Sequence, residues 1–176
     1  MKNIDAILPD DSSAPSPLFG KTYPSHLQEL ISRMTEQGFV HLGTYQHPPK
    51  TFDGALNVFY EYVRRDFRFP ELYEGVRYSF VHHFLLPVEK ISDPLLSGLL
   101  EQMARRPDRT AAATVLEDEL RFKITADLGV IPLLRGLTRE STHYVVPYSV
   151  CLRKGFGPVV SYFVFEAVLP EPSSLN

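Results

Sequence analysis

The sequence predicts an α+β fold, a mostly antiparallel sheet packed by about three helices and preceded by a flexible N-terminal arm. Two patterns carry this. Helical and extended periodicities alternate through the first two thirds of the chain, and its end reads as two long strands joined by a tight glycine-containing turn, which must pair antiparallel. Composition agrees: of 176 residues, 44% are hydrophobic and 22% charged, ordinary for a globular chain with enough length to bury a core.

Residues 1–24 hold Pro9, Pro15, Pro17 and Pro24 among acidic and serine residues, a mixture that sustains neither helix nor ladder. The expected organisation is therefore a proline-rich arm (1–24), one α+β domain (25–169) and a short flexible tail (170–176). The first helix is opened by Ser25 and Gln28 at capping-box spacing. Leu27, Leu30, Ile31 and Met34 form its apolar face, and Gly38 stops it. A strand follows over 39–46, closed by His47-Pro48-Pro49. A second helix begins after Thr51 or Asp53, with Ala55, Leu56, Val58, Phe59, Tyr62 and Val63 on its apolar side, and ends near Phe69-Pro70.

Residues 73–86 alternate as a long strand that becomes more buried toward its end. Asp93 as N-cap and Pro94 at the first helical position open a third helix, carrying Leu95, Leu96, Leu99, Leu100 and Met103. Residues 107–113 read as a loop or a weak helix. Leu120, Phe122 and Ile124 alternate with Arg121, Lys123 and Thr125, which predicts a further strand. Gly129, Pro132 and Gly136 break 127–141 into a loop with at most one helical turn. The terminal hairpin runs from Tyr144–Leu152 through Lys154-Gly155-Phe156-Gly157-Pro158 into Pro158–Leu169.

No catalytic signature, cofactor motif or metal-ligand spacing stands out. His82 and His83 are adjacent on a strand, so they face opposite ways and cannot share one ion. Cys151 shares a strand face with Ser149 and Arg153, but lies at no helix N-terminus and reads as an inert thiol. As the only cysteine it excludes an intramolecular disulfide, and with no leader-like h-region at the N-terminus it points to a reducing, intracellular location. The net charge of −3 argues against a dedicated, sequence-specific nucleic-acid binder.

Gly155-Phe156-Gly157 joins two strands and is no phosphate loop. It leaves Phe156 beside Arg153-Lys154 at an expected exposed tip. Arg64, Arg65 and Arg68, then Arg105, Arg106 and Arg109, then Arg153 and Lys154 form three short basic groups; converging in space, they would meet phosphate or anionic lipid. Tyr23-Pro24-Ser25-His26-Leu27 resembles the late-domain peptides of enveloped viruses, although Ser25 and Leu27 also have roles in the first helix.

The stretch from Gly38 to Leu86 resembles the core of vesiculovirus-type rhabdovirus matrix proteins. A strand over 39–46, the basic proline turn His47-Pro48-Pro49-Lys50, and Thr51-Phe52-Asp53 opening an amphipathic helix follow in the same order. Ser13-Ala14-Pro15 in the arm and the Lys154-Gly155 turn are also similar. The family's lysine-rich N-terminus, Pro-Pro-x-Tyr motif and core tryptophan are absent. The resemblance implies a non-enzymatic structural protein of the virion that self-associates through its N-terminal arm and bridges nucleocapsid and anionic membrane. Tyr23, Pro24, Leu27, Phe156 and the basic groups would then be contacts. The other reading of the same residues is an intracellular domain that binds a small apolar ligand between sheet and helices, since 12 Phe and 9 Tyr can line a cavity as well as fill a core.

Overall fold

A computed structural model describes residues 25–66, 75–106, 113–128 and 141–168. The fold is α+β: among these residues, four helices pack on one five-stranded sheet whose pairings are all antiparallel. Helix α1 is Ser25–Glu36, strand β1 Val40–Tyr45, helix α2 Asp53–Asp66 (led in by a 3-10 turn, Lys50–Phe52) and strand β2 Arg77–Pro87. Helix α3, Pro94–Ala104, is followed by the short strand β3, Thr114–Val115, helix α4, Asp118–Leu128, and the hairpin β4, Ser141–Arg153, with β5, Gly157–Val168. The strand order β1-β2-β5-β4-β3 puts the last strand in the centre.

Local chemistry explains the boundaries. At the end of α1, Phe39 N–H reaches back to Met34 O at 3.1 Å across Gly38, whose φ of 101° only glycine tolerates without strain. Asp93 caps α3, its carboxylate accepting from Leu95 N–H at 3.0 Å and Leu96 N–H at 3.4 Å. Asp127, near the end of α4, accepts from Ser92 N–H and Asp93 N–H at 3.0 and 3.1 Å, which ties the two helices together. The hairpin turns over Lys154–Phe156, with Phe156 N–H bonded to Arg153 O at 2.9 Å and positive φ at Gly155 and Gly157.

The sheet is covered on both faces. On one, Phe84 and Leu86 of β2, Val160, Tyr162 and Val164 of β5 and Val145 and Val150 of β4 pack under α1, α3 and α4. On the other, Val81, Tyr144, Val146, Phe163, Phe165 and Ala167 pack under Phe52 and α2, whose Phe59 stacks on Phe165 at 4.6 Å. Burial on both faces is why β5 and the second half of β2 read as nearly continuous apolar runs. The deepening burial predicted along β2 is present, Val81 to Leu86 all being buried ahead of the half-buried Pro87.

One expected strand is a helix. Leu120 and Ile124 belong equally to a two-residue alternation and to the i, i+4 spacing of a helix, and the helix prevails in α4. Asp118 and Glu119 favour its N-terminal end, and Glu119 pairs with Lys123 at 3.5 Å one turn on. Ile124 then faces the core while Phe122 is turned outward, 75% exposed. The predicted end of the second helix at Phe69-Pro70, all but the last residue of the 107–113 segment and most of the 127–141 loop lie outside the described residues.

Candidate functional site

Among the described residues, the sheet is incompletely framed at one edge. β3 pairs with β4 only at Ser149 and Val150, and Leu116 N–H adds a bond to Tyr148 O at 2.9 Å. Toward His143 the edge opens into a cleft of about 670 Å³ between α2 on one face and α4 on the other. Its apolar walls are Tyr62, Phe122, Tyr144 and Val145. Its charged wall residues are Arg65, Arg121, Asp118 and Glu119.

Those charges satisfy one another. Asp118 receives Arg65 at 2.6 Å and Arg121 at 3.3 Å, so a single carboxylate links α2 to α4 around the sheet edge. The bond to Arg65 holds the Asp118 carboxyl below its usual range and raises the guanidinium of Arg65 in return. Arg65 also lies over the ring of Tyr62, 5.5 Å from its centroid. Arg121 is buried and donates to Leu116 O, and Thr125 donates to Arg121 O at 2.9 Å.

Behind the cleft a polar chain crosses four strands. His41 bonds Thr44 Oγ1 at 2.9 Å, and Thr44 bonds His82 Nδ1 at 2.9 Å. His82 Nε2 lies 3.9 Å from Glu166 Oε2, and His143 Nε2 approaches the same oxygen at 3.6 Å from β4. The side chains of His82, His143 and Glu166 are all buried. No sequence motif announces this row; only the register, which sets β2 and β4 on either side of β5, assembles it. His83 points to the opposite face, as its adjacency to His82 requires. There it stacks on Phe163 at 4.4 Å and bonds Ser161 Oγ at 2.7 Å. Burial lowers the His41 ring to about 4 and the His83 ring to about 3, so both are neutral at pH 7. Among the described residues, no group of three or more His, Cys, Asp or Glu side chains could hold a metal ion.

The predicted contact residues disperse. Leu27 is fully buried and belongs to the core, while Tyr23, Pro24, Arg68 and Arg109 lie outside the described residues. Arg64 and Arg65 end α2 beside the cleft; Arg153 and Lys154 lie at the far end of β4, about 33 Å away at roughly 3.3 Å per strand residue. Arg105, capping the C-terminus of α3, pairs with Glu101 at 3.3 Å, and Arg106 is exposed just beyond. The arginine groups of α2 and of the hairpin therefore do not converge. The hairpin tip is also less open than expected. Phe156 is half-buried, and Arg153 is half-buried with a lowered guanidinium pKa caused by desolvation, since its strand position turns it onto the sheet.

Sequence reasoning missed one surface. Leu95 (84% exposed), Leu99 (44%) and Phe122 line a groove of about 520 Å³ between α3 and α4, bordered by Lys123, Asp93 and Asp127. Leu95 and Leu99 are indeed on α3, but on its outer side, with Leu96 and Leu100 turned inward. The i, i+4 pair Leu95–Leu99 running beside Leu96–Leu100 is the signal that two apolar faces are present. Among the described residues, no helix is long and apolar enough to cross a membrane. The chain matches no protein-family model, and no curated protein or solved structure matches it significantly.

Proposed function

We propose that this chain is a non-enzymatic structural protein that self-associates, a matrix-like protein that joins nucleocapsid to an anionic membrane surface. The observation that carries the proposal is the apolar groove of α3 and α4, where Leu95, Leu99 and Phe122 are solvated although neighbouring leucines are buried. Large apolar side chains gathered on one surface mark interaction sites. The occupant is the proline-rich segment 1–24 of a neighbouring copy. At about 3.3 Å per residue it spans up to roughly 80 Å, ample to leave one subunit and reach the next. It carries Ile4, Ile7, Leu8, Leu18 and Phe19 as apolar anchors. Lys123 at the groove and the exposed Arg106 beyond α3 supply positive charge for an anionic lipid surface. The order of features that resembles rhabdovirus matrix proteins supports the same role.

Sedimentation velocity on the full chain across a concentration series tests the reading. Concentration-dependent oligomers are expected, lost both on deletion of residues 1–24 and in a Leu95→Glu/Leu99→Glu variant. The full chain should also float with phosphatidylserine vesicles and not with phosphatidylcholine. A strict monomer indifferent to anionic vesicles would sink it.

A further inference from the structure

We infer that the cleft between α2, α4 and the edge of β4 is a binding site for a small, uncharged, apolar molecule, separated from the self-association groove by the shared Phe122. Its volume of about 670 Å³ lies within the 300–1,000 Å³ of small-molecule sites. Three aromatic rings and a valine, Tyr62, Phe122, Tyr144 and Val145, give it surfaces that gain by excluding water.

The charges on its walls determine the ligand class. Two are positive, Arg65 and Arg121, and two negative, Asp118 and Glu119. All four are engaged: both arginines on Asp118, at 2.6 and 3.3 Å, and Glu119 on Lys123 at 3.5 Å. The hydroxyl of Thr125 is likewise committed, to Arg121 O at 2.9 Å. An anionic guest would have to share an arginine with Asp118 and lie beside that carboxylate, and a cationic one would have to share Asp118 with two arginines. A guest bringing a charge into this recess loses hydration without finding, among the described residues, a counter-charge that is not already shared, His143 of the lining itself lying 3.6 Å from Glu166 Oε2. An uncharged guest disturbs none of these pairs, so the site selects against net charge of either sign.

A matched pair of fluorophores tests this on the full-length chain. N-phenyl-1-naphthylamine is uncharged, and 8-anilinonaphthalene-1-sulfonate has the same aromatic body with one sulfonate added. The uncharged probe is expected to bind one per chain and to be displaced by 1-decanol, with the sulfonate at least tenfold weaker. Thr125→Phe places a ring inside the cleft and should weaken the uncharged probe about tenfold, circular dichroism reporting that the fold is kept. Phe122→Ala, at an exposed position that folding tolerates, removes one wall and should weaken it severalfold. Equal binding of the two probes, no binding of the uncharged one, or full binding by both folded variants would overturn the inference. Thr125 does not line the α3–α4 groove, so Thr125→Phe leaves sedimentation unchanged and separates failure of this site from failure of the assembly reading.

Discussion

At the scale of single residues, the half-buried His41 and the buried His83 make the fold sensitive to acid. His41 and His83 are held far below the ordinary imidazole range, at about 4 and about 3, chiefly by desolvation. An unfolded chain titrates these rings near 6.5, so below that pH it takes up protons the folded chain refuses. Their contribution is complete above pH 6.5 and declines as the pH falls toward the folded values. Urea unfolding at pH 7 and pH 5 should differ by on the order of 2–4 kcal/mol. His83→Phe keeps a ring against Phe163 and should flatten that slope; an unchanged slope would mean that His83 is already charged in the native state. A second residue-scale constraint is steric. A Cβ at Gly54 would come within 1.8 Å of Tyr148 Oη, so with the Tyr148 ring in this position only glycine fits there. Gly54→Ala should cost roughly 1–3 kcal/mol by displacing the Tyr148 ring. A double-mutant cycle with Tyr148→Ala should recover most of that loss, and additive losses would argue for another cause.

At the scale of elements, caps and turns were the most legible features. Asp93-Pro94 opens α3 as predicted, and Asp93→Ala should lower stability by about 1 kcal/mol in chemical denaturation, since two helix N–H groups lose their acceptor. The terminal hairpin is present in its predicted place, and Gly155 and Gly157 owe their positions to positive φ. Gly155→Ala, with open space around the position, should cost about 1 kcal/mol through backbone strain alone. What the sequence could not separate was α4 from a strand. Residues 120–124 satisfy both periods, and the decision rests on where Arg121 and Ile124 find burial. That decision turns Phe122 outward, and with it creates a wall shared by the cleft and the α3–α4 groove.

At the scale of the whole molecule, two surfaces stand apart from the packed core: the groove of Leu95 and Leu99, and the cleft at the end of β4. Phe122→Asp alters both while leaving the interior intact. Its unfolding free energy should stay within about 0.5 kcal/mol of the parent, as expected for a surface position, while self-association falls. A large loss of stability would show that Phe122 packs in the native state. Layering explains why these surfaces were hard to foresee. β5 is central only because the last hairpin inserts between β2 and the rest, and that order is invisible to periodicity.

By itself, the sequence determined the α+β class, the antiparallel hairpin, the two helices announced by caps and turns, and the separation of His82 from His83. Each depends on residues a few positions apart, where capping, glycine geometry and strand alternation act directly. Tertiary structure alone decided the rest: the row from His41 through Thr44, His82 and Glu166 to His143, the Asp118 clasp between α2 and α4, and the separation of the α2 and hairpin arginine groups. These depend on strand order and on which helix covers which face, set by long-range burial of Phe, Tyr and Val side chains that are interchangeable when read along the chain.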